Sequence, residues 1–184
     1  VDVGEVNGHF FLNNSSLGIY PSMVRDRENQ QKKLGRSKWT AVGWASLKIL
    51  RRYPFVNVRV TADGKEHTRL TPFVFIGNNE YSMEGFNIGE RKSLDAGRLS
   101  LYVTHRTGRF GLLRLALRAL FGHLHQAKDF DAYTAQEILI EVHRPHMHIS
   151  TDGEVNLMNT PLRYRVRPGA LSVIVPQINP ENKV

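Results

Sequence analysis

Cysteine is absent from the 184 residues. Its absence excludes a disulfide framework, thiolate metal ligation and a cysteine nucleophile, and it fits a reducing compartment. No stretch approaches about 18 uninterrupted apolar residues, so no helix of this chain is long and apolar enough to cross a bilayer. Neither a GxxxxGK[ST] loop nor a GxGxxG between strand and helix occurs, which leaves the chain without a recognisable nucleotide cradle of its own. No H-x-x-x-H helix is present to begin a zinc site. No charged-then-apolar leader opens the sequence. It begins Val1-Asp2-Val3, already strand-like, and we read it as a processed product or one piece of a longer protein.

What is present is a basic chain with apolar mass for a real core. Lys and Arg number 25 against 17 Asp and Glu, a net charge of +8, and 41% of residues are hydrophobic. Such a length and composition suit one globular domain, or two very small ones, and the charge favours an anionic partner. An anionic lipid surface fits. Nucleic acid does not, because no binding motif is present and aromatic residues are not interleaved with basic ones in a stacking pattern.

The pattern along the chain is mostly β. Val3–Val6 and 9–12 flank Asn7-Gly8, a dipeptide that tolerates the positive φ of a type I′ hairpin turn. Phe55, Val58 and Val60 start a strand turned at Asp63-Gly64, and 69–76 returns from it. Leu99, Leu101 and Val103 alternate with polar residues, as a half-buried strand requires. Residues 138–142, 147–149, 162–166 and 171–175 read as further strands. Helical spacing of apolar residues predicts helices over 27–52 and 110–126. About nine strands joined by hairpins, with two helices, exclude a doubly wound parallel sheet. The expected fold is mainly β: an antiparallel β-sandwich with two helices, α+β by strict count. Residues 1–176 form one domain and 177–184 a polar tail.

Three features can carry chemistry. Asp152 and Glu154 place two carboxylates at the tip of an Asp-Gly turn, where they can act as a base and its orienting neighbour or hold a divalent cation. The plain alternative is a turn aspartate with a solvated glutamate after it, and Asp63-Gly64 is the internal control. His146 and His148 share a strand face near His143, but zinc would need a fuller ligand set. The apolar stretch 110–126, with Arg109, Arg114 and Arg118, reads as a helix packed on a sheet or as an amphipathic surface on anionic lipid.

Several segments together resemble a known family. They are Val1-Asp2-Val3-Gly4 with Val6-Asn7-Gly8, Phe11-Leu12-Asn13-Asn14 with Ser16-Leu17-Gly18, and Phe75-Ile76-Gly77-Asn78-Asn79. Leu94-Asp95-Ala96-Gly97-Arg98-Leu99, Asp152-Gly153-Glu154 and Pro161-Leu162 through Pro168-Gly169-Ala170-Leu171 follow, closing at Val175-Pro176. In this order and spacing they resemble the C-terminal domain of the diacylglycerol-kinase-like lipid kinases, the bacterial YegS type that also includes sphingosine kinases.

The resemblance implies a two-domain ATP-dependent kinase acting on a lipid hydroxyl. Its N-terminal ATP-binding domain, absent from this chain, would hold ATP and Mg²⁺. The present chain would then be the substrate-side sandwich, inactive alone, cytoplasmic and peripheral to the membrane. Asp152 and Glu154 occupy the positions of the family's proposed catalytic motif. Some relatives bind a structural magnesium at a Leu-Asp-Asp-Gly-type loop. Here Ala96 replaces the expected carboxylate, so no metal is expected there. Two other readings stand beside this one: a non-catalytic lipid- or membrane-binding sandwich, and an NAD-kinase-like enzyme.

Overall fold

A computed structural model describes residues 1–18, 55–81, 90–91, 93–104 and 130–174. In chain order the strands are β1 (Val3–Val6), β2 (His9–Phe11), β3 (Asn14–Gly18), β4 (Val56–Ala62), β5 (Lys65–Thr71) and β6 (Phe73–Asn78). They continue with β7 (Leu99–Thr104), β8 (Phe130–Ala135), β9 (Glu137–Val142), β10 (His146–Thr151), β11 (Glu154–Asn159) and β12 (Leu162–Arg167). One six-stranded sheet has the order β2-β1-β12-β9-β4-β5 and the other β11-β10-β3-β6-β7-β8. Neighbouring strands are antiparallel throughout.

The architecture is therefore an all-β, two-sheet antiparallel sandwich, with no helix among the described residues. This corrects the expected class, a sandwich with two helices that counts as α+β. The physical reason is the period of the described chain. In β4, Val58, Val60 and Ala62 are buried while Asn57 and Arg59 are exposed. In β12, Leu162, Tyr164 and Val166 are buried between the exposed Arg163, Arg165 and Arg167. A period of two belongs to strands with one face inward. The stretches expected to be helical, 27–52 and 110–126, lie outside the described residues, as does the tail 177–184.

Two strand boundaries also differ from expectation. Residues 69–76 are not one strand, because Pro72 separates β5 from β6 and the two lie in different sheets. Proline cannot donate to a sheet ladder, and here it sits at a corner between the sheets. Residues 171–174 are not strand. β3 was not expected, because Asn14-Ser15-Ser16-Leu17-Gly18 is small and polar; Ser15, Ser16 and Leu17 are all buried, so the strand lacks an exposed face to reveal it.

The core lies between the sheets. Val6, Phe11, Val58, Ile138, Ile140, Leu162 and Tyr164 from one sheet meet Leu17, Val74, Ile76, Leu99, Leu101 and Ile149 from the other. Buried polar contacts also join the two sheets: Ser15 Oγ to Tyr164 OH at 3.1 Å and Thr71 Oγ1 to Thr104 Oγ1 at 2.9 Å. Burial pushes the Tyr164 phenol far above its ordinary range, so it stays neutral and keeps its hydrogen bond to Ser15.

Candidate functional site at a sheet-switching corner

The chain leaves the first sheet after β2 and enters the second at β3, turning through Leu12 and Asn13. A corner of this kind presents backbone groups that no ladder satisfies. Here they are almost all met. The N–H groups of Leu12, Asn13 and Asn14 donate to the Asp152 carboxylate at 2.6, 2.8 and 3.0 Å. The Leu12 carbonyl accepts from Asn78 Nδ2 at 3.0 Å and Arg91 Nη1 at 2.8 Å. The Asn13 carbonyl accepts from the Asn78 N–H and from the Tyr81 hydroxyl, each at 2.9 Å. Arg91 also reaches Asn13 Oδ1 at 3.2 Å and sits 5.6 Å from the centroid of the Tyr81 ring. Burial raises the Tyr81 phenol above its ordinary value, and the nearby Arg91 charge opposes that.

Asp152 occupies the first position of the tight turn between β10 and β11, at φ 49°. A short side chain that bonds locally tolerates this left-handed backbone. Its own N–H donates to Asn14 O at 2.9 Å while Asn14 N–H returns to its carboxylate, a reciprocal clasp. Two more turns repeat the device. Asp63, at φ 43°, donates to Glu137 O and accepts from the Gln136 and Glu137 N–H groups at 3.0 and 3.2 Å, where β8 passes into β9. Asn7, at φ 47°, donates to Arg163 O and accepts from Arg163 N–H at 2.8 Å, where β11 passes into β12. Each of the three hairpins thus holds a corner at which the chain changes sheets.

Glu154 differs from Asp152. It begins β11, is exposed, and its side chain makes no hydrogen bond or ion pair in the described structure. Asp152 is exposed as well and has no cationic partner among the described residues. The two expected site residues are therefore placed at one turn, one carboxylate engaged with backbone and the other free.

The other expected features fall elsewhere. His146 Nδ1 bonds Asn159 Oδ1 at 2.8 Å, and no group of three or more metal-ligating side chains occurs among the described residues. The 93–98 loop does not fit magnesium. Ala96 offers only a methyl group, the Leu94 carbonyl accepts the Asp2 N–H at 2.7 Å, and the Asp95 carboxylate is taken by Ser93 Oγ. The loop is held instead by protein. The buried Asp2 carboxylate accepts from Gly97 N–H at 2.7 Å and Gly169 N–H at 2.9 Å, and Asn79 Oδ1 accepts from Ala96 N–H at 3.0 Å.

A groove of about 1030 Å³ runs along the first sheet, lined in part by Glu5, Asn7, Asp63, Glu137, Arg163 and Arg165. It includes neither Asp152 nor Glu154. Two ion pairs stand in its wall: Glu5 takes Arg165 at 2.6 and 2.9 Å and Arg167 at 2.7 Å, which holds the glutamate below its usual carboxylate range.

Sequence reading alone missed the corner. Leu12–Asn14, Asn78 and Asn79 lay in view within the segments that carried the resemblance, but Tyr81 and Arg91 had no local signal. Parts of several segments meet: Asp2, Leu12–Asn14, Asn78-Asn79, Ala96-Gly97, Asp152 and Gly169 join in one hydrogen-bonded end of the sandwich, while Asn7 and Pro161 meet at the other end of β1.

The profile of the YegS C-terminal NAD kinase beta sandwich-like domain matches residues 18–175. A solved structure of a Bacillus anthracis str. Sterne protein assigned as a diacylglycerol kinase is 25% identical, with a TM-score of 0.61, and the match covers 92% of this chain and 54% of that one. A diacylglycerol kinase of the same organism is 21% identical with a TM-score of 0.54, covering 92% and 51%. The chain thus spans about half the length of the solved structures it matches. With the sandwich, the ordered segments and the profile in agreement, the chain belongs to the YegS C-terminal domain family and is a diacylglycerol-kinase-like C-terminal domain.

Proposed function

We propose that this chain is the substrate-side domain of an ATP-dependent lipid kinase, which transfers the γ-phosphoryl group of ATP to a lipid hydroxyl. The observation that carries the reading is that parts of several family segments, Asp2, Leu12–Asn14, Asn78-Asn79 and Ala96-Gly97, meet at one end of the sandwich, with the acidic Asp152-Gly153-Glu154 turn exposed there. A hydroxyl that attacks phosphorus must lose its proton, and a carboxylate at an exposed edge can take it. A separate ATP-binding domain would hold the nucleotide with its magnesium, since this chain has no phosphate cradle. The net charge of +8 supports docking at an anionic, cytoplasm-facing lipid surface.

The test is transfer of label from γ-labelled ATP to diacylglycerol, sphingosine and a polyprenol by the full-length protein. Labelled lipid is the expected product, with residues 1–184 alone inactive. A folded full-length protein that binds lipid vesicles and labels none of the panel would replace the kinase by a non-catalytic lipid-binding module. Robust turnover by residues 1–184 alone would remove the two-domain reading.

A further inference from the structure

We propose that Arg91 is a phosphate-binding residue of the acidic end: its guanidinium, fixed against the Leu12–Asn14 corner, takes two oxygens of the γ-phosphoryl group. The inference rests on the phosphotransfer reading above and adds to it a residue from outside the acidic turn.

Charge creates the need for such a group. The turn that carries Asp152 and Glu154 is exposed and acidic, so alone it repels the phosphate that has to approach it. A cation beside the turn offsets that repulsion, provided that no carboxylate has already claimed it. Arg59, Arg69, Arg165 and Arg167 do not qualify, because each is paired with Glu66, Asp131 or Glu5. Arg91 is held in another way. Its Nη1 donates to Leu12 O at 2.8 Å and to Asn78 O at 3.4 Å, and its Nη2 donates to Asn13 Oδ1 at 3.2 Å. All three acceptors are uncharged, and no carboxylate among the described residues pairs with this side chain. The guanidinium is therefore fixed without being neutralised.

Its geometry suits a phosphate. A guanidinium carries its N–H donors in a rigid planar fork, two on each Nη and one on Nε. The corner uses both donors of Nη1 and one of Nη2, which leaves Nε–H and the second Nη2–H. With Nη1 and Nη2 turned to the corner, the free donors lie together on the Nε side, the parallel pair that matches two oxygens of a phosphate. These bonds, with the Tyr81 ring 5.6 Å from the guanidinium carbon, set the direction of the fork before any ligand arrives.

Its place suits the reaction. Leu12 donates its N–H to Asp152 Oδ2 at 2.6 Å and offers its carbonyl to Arg91, so acid and cation hold the two sides of one residue. The Tyr81 hydroxyl, bonded to Asn13 O at 2.9 Å, is subject to both charges. In the transfer step the lipid hydroxyl oxygen forms a bond to the γ-phosphorus, the bond from that phosphorus to the bridging oxygen of ADP breaks, and the hydroxyl proton passes to a carboxylate of the acidic turn. Negative charge is spread over the three peripheral oxygens of the γ-phosphoryl group as it moves, and the free pair of Arg91 meets two of them.

The experiment compares Arg91→Gln, Arg91→Lys and the control Arg59→Gln in the full-length protein. A glutamine amide can still donate to the corner carbonyls, so this variant keeps a brace there and loses the charge and the fork. The readouts are kcat with γ-labelled ATP and the lipid labelled best, and the ratio of the ADP and ATP dissociation constants. Arg91→Gln should lose roughly 10²-fold in kcat. Its preference for ATP over ADP should also fall about tenfold, the scale of a charge-assisted hydrogen bond, because ADP lacks the group that Arg91 holds. Arg91→Lys keeps the charge without the fork and should recover part of both, while Arg59→Gln should match the wild type. A slower Arg91→Gln with an unchanged preference for ATP over ADP would show that Arg91 only braces the corner, which overturns the proposal. An unchanged rate in Arg91→Gln, with transfer by the wild type intact, overturns it as well. Absence of transfer by the wild type removes the kinase reading itself and this role of Arg91 with it.

Discussion

An asparagine and an aspartate differ by one atom, and at the three clasping turns that atom is chosen by the corner. Asn7 Nδ2 donates to two carbonyls, so Asn7→Asp would set a carboxylate oxygen against both. Leaving such groups unpaired costs about 1–3 kcal/mol, and urea denaturation should read a loss of that size. The converse change at Asp63 should cost less than 0.5 kcal/mol or so, within the range of ordinary surface changes, because both of its N–H partners use Oδ1 and an amide oxygen can replace it. Asp152→Asn falls between: its amide nitrogen would face the Leu12 N–H that now meets Oδ2 at 2.6 Å. The Asn-Gly and Asp-Gly dipeptides were legible as turns from sequence alone. What each first residue holds was not, because its partners lie 139 and 156 residues away for Asp152–Asn13 and Asn7–Arg163.

Strands with one clean buried face were legible, and of two strands without one, β7 was legible and β3 was not. β4, β9 and β12 announce themselves by alternation. β7 is buried on both faces, and its apolar Leu99, Leu101 and Val103 still mark it. β3 hides because serines fill its buried positions. At β6, Gly77 leaves space that a side chain cannot use: a Cβ there would come within 2.5 Å of Ser100 Oγ and the Tyr81 ring. The 93–98 loop is the element in which Ala96 stands where the resemblance expects a carboxylate. Asp2 and Asn79 supply its bonds, so its stability should not depend on magnesium. The melting temperature should be the same with EDTA as with magnesium, and Ala96→Asp should introduce a magnesium-dependent rise. A fall of several degrees on adding EDTA to the wild type would show that a cation does hold the loop.

At the scale of the whole molecule, the sandwich was readable from patterning, and its pairing order was not. Alternation tells which face of a strand is buried, but it does not say which strand lies beside it. Charge was readable in the same partial way. A net +8 predicts that residues 1–184 sediment with vesicles containing phosphatidylserine and not with neutral ones. Added salt should release them, as the Debye length shrinks from about 10 Å at 0.1 M to about 3 Å at 1 M. Binding to neutral vesicles that salt leaves unchanged would point to apolar insertion in place of charge.

The position of β12 has a consequence for how the protein is made. It lies between β1 and β9, pairing Val3–Val6 on one side and 137–140 on the other. Until residues 162–167 leave the ribosome, the first sheet exists only as two separate pieces, β2-β1 and β9-β4-β5. The earliest strand must wait for the latest, and so distant a pairing closes slowly. A nascent chain stalled before Pro161 would therefore carry two unpaired sheet edges, each able to capture a stray strand. The first sheet closes only once β12 has emerged, and the interval before that is when chaperones would matter most to it.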